Sequence, residues 1–190
     1  MSIPEEMIMQ HLDLLLTSSQ PGDEHHHLHL VAAPADAVGP LGLVDESKLV
    51  VSVYVMVPPP DAGDAQDFLY RAIKEAGRTQ DVAGAEVLFA AMSQESWSVL
   101  SPTRDDLADQ LIKEGRLSEH PDAAELTTVY AACRDGRRWR SARWLTGPRA
   151  GTGPPPQLLT GRASPHEARH VLGAHLVREL VGLVPTRGTR

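Results

Sequence analysis

Residues 125–145 read ELTTVYAACRDGRRWRSARWL, and this stretch decides the fold. Two runs rich in strand-forming residues, 125–133 and 138–145, flank Asp135-Gly136. Asp-Gly between such runs is a strong signal for a two-residue hairpin turn, so the runs are expected to pair antiparallel. That turn sets Trp139 opposite Ala132 and Trp144 opposite Thr127, with the two tryptophans on different faces of the ribbon.

Upstream, residues 86–92 read as a buried strand that continues through Trp97 and Val99. A valine-rich strand over 48–57 is stopped by Pro58-Pro59-Pro60, because proline cannot donate to a ladder. Residues 24–33 alternate, with Leu28 and Leu30 on one face and His27, His29 and Val31 on the other, as in a strand. Ile8, Leu12, Leu15 and Leu16 recur at helical spacing behind a Ser2/Glu5 capping box and predict a helix over 4–17. Asp64 caps a second helix with an apolar stripe of Leu69, Ala72, Ile73 and Ala76, closed by Gly77. A shorter helix starts around Thr103 and Asp106 and ends at Gly115.

Downstream, Pro148, Gly151, Gly153, Pro154, Pro155, Pro156 and Gly161 favour an extended connector over 147–163. Ser164-Pro165 then opens a last helix over 164–184, with Leu172, Leu176, Leu180, Val181 and Leu183 on its apolar face. The expected organisation is a domain over 1–146, the Pro/Gly-rich connector, and a C-terminal helix docked on that domain or on a partner. The expected class is α+β, a mainly antiparallel sheet of about five strands with about four helices.

AEVLFAAMSQESWSV (85–99), followed after a helix by LSEHPDAAELTTVYAACRDG (117–136) and an Arg-Trp strand, resembles small uncharacterised proteins of high-GC bacteria and their phages. The resemblance covers residues 84–146. It implies one compact domain and brings no activity, cofactor or catalytic residue with it.

The 190 residues are 42% hydrophobic, the share of a globular domain, and the chain holds one cysteine, Cys133, so no internal disulfide forms. Aromatics are only 4%, which leaves a core of aliphatics and argues against a large aromatic ligand pocket. Acids open the chain where a secretory signal carries positive charge, and the longest apolar run is far too short to cross a bilayer, so a cytoplasmic location is expected. Charge is segregated: residues 1–130 hold 22 acids and 7 bases (−15), residues 131–190 hold 3 and 11 (+8), and the two sum to −7. Such a split means an anion-binding C-terminal face, or two parts that attract each other in the fold.

Three clusters carry candidate chemistry. His166-Glu167-Ala168-Arg169-His170 matches HExxH, in which two histidines one turn apart bind zinc and the glutamate activates water. Against that reading, Glu167 also fits as the capping partner of Ser164, Arg169 brings positive charge to the same side, and His175 and Glu179 point away from the pair. In the second cluster, His27 and His29 share a strand face with His25, and His-x-His suits a transition metal, although a solvated strand edge explains it equally. The third is the hairpin, where Arg138, Arg140 and Arg143 with Trp139 mix cations and stacking surfaces as single-strand nucleic-acid binders do. No glycine-rich phosphate loop, nucleophile elbow or spaced Cys-His pair is present.

Each cluster is incomplete. The sequence therefore points to a small soluble binding protein without catalysis or cofactor, whose partner is a protein or a second copy, away from membranes and nucleic acid. A zinc-dependent hydrolase acting through Glu167 on zinc held by His166 and His170 is the alternative, and single-stranded nucleic-acid binding through the hairpin the second.

Overall fold

The computed structural model describes residues 3–22, 25–39, 43–57, 71, 75, 85–100, 105–159, 180 and 182–184. A six-stranded antiparallel sheet organises them: β1 (His26–Ala33), β2 (Val50–Met56), β3 (Glu86–Val99), β4 (Ala123–Cys133), β5 (Arg138–Trp144) and β6 (Gln157–Leu158). The spatial order is β2-β1-β3-β4-β5-β6, so β2 and β6 form the two edges. Helix α1 (Glu5–Ser18) precedes the sheet, and α2 (Asp106–Glu114) joins β3 to β4.

Cross-strand partners share a face, so the register sorts the core into two layers. One row runs His29, Ala91, Ala131, Trp139, beside a second through Val31, Phe89 and Cys133. These lie under α1, whose Ile8, Leu12, Leu15 and Leu16 are all buried against them. Burying four such side chains stabilises the fold by about 1.5–3 kcal/mol each relative to exposure. On the opposite face, Leu28, Met92 and Tyr130 align in one row and Leu30, Ala90 and Ala132 in the next. Leu180 and Val184, both fully buried, close that layer.

The expectation of about five strands and about four helices is corrected: the sheet has six strands, and only two α-helices have bounds among the described residues. The added strand, β6, lies inside the proline-rich stretch. It exists because the chain turns at 147–150 and returns along β5, with Trp144 N–H donating to the Thr152 carbonyl (2.8 Å) and Leu159 N–H to the Arg138 carbonyl (2.8 Å). Arg71, Glu75, Leu180, Gly182 and Leu183 are helical. The rest of the helices expected over 64–77 and 164–184 lies outside the described residues.

The hairpin register also differs from expectation. Arg134, Asp135 and Gly136 all belong to the turn, closed by Cys133 N–H on the Arg137 carbonyl (2.8 Å) and Gly136 N–H on the Cys133 carbonyl (3.0 Å). Gly136 takes φ 93°, the left-handed residue that a three-residue hairpin loop requires. The extra turn residue slides β5 by one, so Trp139 opposes Ala131 and Trp144 opposes Leu126. At the start of α1 the N-cap is Pro4 without a side-chain cap. Ser2 of the expected capping box lies outside the described residues.

Candidate functional site

The β1 histidines divide between the two faces. His25 is exposed just before the strand, and His26 is buried on the Leu28 face. His27 and His29 point toward α1. His27 Nδ1 lies 3.3 Å from Ser18 Oγ, and its main-chain N–H donates to Ser93 Oγ at 3.0 Å. His29 is 3% exposed and meets the ring of His11 from α1 edge-on at 5.7 Å. Burial first, then the neighbouring His11 and His27, push the His29 pKa down to about 4, and burial lowers His11. Both rings are therefore neutral at pH 7. His11 was absent from the sequence-level candidates, although its place between Ile8 and Leu15 on the apolar side of α1 signalled it.

Neutral imidazoles are the form that binds metals, yet among the described residues no group of three His, Cys, Asp or Glu side chains is placed to hold an ion. His166, Glu167 and His170 lie outside the described residues.

Three arginines of the hairpin are engaged within the protein. Arg134 pairs with Glu86, Arg137 binds Asp135 (2.7 Å) and the Ile3 carbonyl (2.7 Å), and Arg143 reaches the Leu16 carbonyl (3.5 Å). Trp139 is buried in the layer under α1, so it offers no stacking surface. Arg138 and Arg140 occupy the opposite face. No joint platform of Trp139 with these cations results.

Two further polar groups are structural by their geometry. His120 Nδ1 accepts from Asp122 N–H (3.1 Å), which places the ring proton on Nε2, and Nε2 donates to Asp105 (3.0 Å). Both ring nitrogens are thus occupied, leaving no lone pair for general-base work. Asp105 meanwhile caps α2, accepting from Leu107 and Ala108 N–H, and the latter bond is the main cause of its lowered pKa. Cys133 is buried, and desolvation pushes its thiol up to about 12, far from a reactive thiolate.

What stands out on the surface is β2. Its outer side meets no other strand among the described residues. Val51, Val53 and Val55, on the α1 side of the sheet, are 49%, 53% and 59% exposed, and Val50 and Val57 are exposed as well. Residues 49–57 carry no charge and no proline. The opposite edge contrasts sharply: β6 is two residues long and follows Pro154-Pro155-Pro156, the devices that blunt an edge against pairing. Sequence reading located this strand but not its exposure, because a run of valines reads the same whether covered on both faces or on one. No protein-family model matches the chain, and no curated protein or solved structure matches it.

Proposed function

We propose that this protein is a binding module that engages a protein partner through strand addition at the outer edge of β2. The observation that carries the reading is the valine ridge Val51, Val53 and Val55 on an edge strand free of charge and proline. Such an edge offers main-chain hydrogen bonds for affinity and alternate side chains for selectivity. An uncharged strand edge of this kind, unpaired among the described residues, is an aggregation hazard unless a partner covers it, which supports a binding use for it.

A photo-activatable benzophenone residue placed at Val55 in the full chain, in the cells the gene comes from, tests this. Irradiation is expected to give discrete adducts of higher mass from Val55, absent when the same group stands at the exposed Lys113 of α2 and lost on adding Val53→Lys. Adducts no stronger from Val55 than from Lys113 would overturn the reading.

A further inference from the structure

The pattern of β2 around Val53 is self-complementary. In an antiparallel pair centred on that residue, Val53 opposes the partner's Val53, Val51 opposes the partner's Val55, and Leu49 opposes the partner's Val57. Every cross-strand pair on the α1 side is then aliphatic, in the arrangement that stabilises a sheet. On the other face Val50 meets the partner's Met56. We infer that the occupant of this edge is β2 of a second copy, related by a twofold axis through Val53 that joins two six-stranded sheets into one of twelve. This deepens the binding-module reading and rests on it.

Charge points to the same contact. Each copy carries −7, so the net repulsion between two copies is least costly at a contact where neither presents a charge. Residues 49–57 are such a stretch. The repulsion also gives the association a signature: added salt screens it and strengthens the dimer, opposite to an acidic chain held by a basic partner. The area is modest. A seven-residue strand is about 24 Å long, and pairing two such edges with their half-exposed valines buries area at or below the roughly 1,200 Å² low end of specific interfaces. Association in roughly the micromolar range is the corresponding affinity.

Sedimentation velocity of the full chain, from about 1 to 100 µM across that range, at low and high salt, is the test. A monomer–dimer equilibrium that tightens with salt is expected. Val53→Lys sets two ammonium groups face to face on the axis and should weaken association more than about tenfold while leaving the circular dichroism unchanged. Oxidation of Val53→Cys should trap a covalent dimer. Val57→Cys should not, because position 57 of the two copies would stand eight residue spacings, about 27 Å, apart. A monomer at every concentration overturns the inference, as does a dimer indifferent to Val53→Lys or trapped equally at both positions. A monomer that still gives a Val55 adduct of another mass in cells removes the second copy as occupant and leaves the binding module standing; a monomer without adducts removes both.

Discussion

His11 and His29 stand edge to face, ring centroids 5.7 Å apart at 89°, between α1 and the sheet, and neither Nδ1 meets a hydrogen-bond partner among the described residues. The pair is compatible with the fold only while both rings are uncharged. His29 has a pKa of about 4 in the folded chain against its ordinary 6.5. The unfolded chain thus binds more protons between these values, and stability, full above pH 6.5, falls as the pH drops toward 4. Thermal unfolding between pH 7.5 and 4.5 should show this loss, and His29→Leu should flatten it. An unchanged pH slope in that variant would assign the acid sensitivity elsewhere.

Asp105 serves two bonds sets at once, the N-terminus of α2 and His120. Asp105→Ala removes the cap, costing about 0.5–2 kcal/mol, and strands the buried Nε2–H of His120 for roughly 1–3 more. Asp105→Asn keeps one oxygen for the cap but turns its amide NH2 toward the His120 Nε2–H, so it should recover only the capping part of that loss. Equal midpoints of denaturant unfolding for the two variants would contradict this division of labour.

Two glycines should fail for different reasons. Gly136, at φ 93°, has open space around it, so Gly136→Val should cost only backbone strain, about 1–3 kcal/mol. Gly153 presses on the Ala142 carbonyl so closely that any side chain must displace the loop. Gly153→Ala should therefore speed amide exchange at Trp144, whose N–H donates to the neighbouring Thr152 carbonyl, whereas Gly136→Val should not. Loss of Trp144 protection in both variants would merge the two mechanisms.

Leu180 is fully buried against the face formed by Leu28, Leu30 and Met92. Leu180→Ala should cost about 2–5 kcal/mol, and at this chain length each kcal/mol lowers Tm by roughly 2–4 °C. A Tm unchanged within error would show that this position contributes no packing.

Local patterns carried much of the fold into the sequence. The four residues assigned to the buried stripe of α1, Ile8, Leu12, Leu15 and Leu16, are the four that the helix buries. The alternation of His27, His29 and Val31 against Leu28 and Leu30 matches the two layers of β1. Gly115 ends α2 as expected, and does so in the left-handed conformation. What stayed hidden depends on contacts distant in sequence. Gln157 and Leu158 become a strand only because β5 lies beside them, and the hairpin register turned on whether Arg134 joined the turn or the strand. The candidate site fared less well. Arg138, Arg140 and Trp139 mix cations and a ring in the sequence, but the pleat sends Trp139 to the other face, and the edge position of β2 among the described residues emerges only once its neighbours are placed.

The closing of the second sheet face by Leu180 and Val184 has a consequence during synthesis. These residues leave the ribosome after the six described strands have emerged. At about 5–20 residues per second, the interval between β6 and Leu180 lasts about 1–4 s, and through it Leu28, Leu30, Met92 and Ala132 are without Leu180 and Val184. Nascent chains in that interval are the species a holdase chaperone would recognise. Slower codons across 160–179 would lengthen the exposure and lower the soluble yield with no change in the amino-acid sequence.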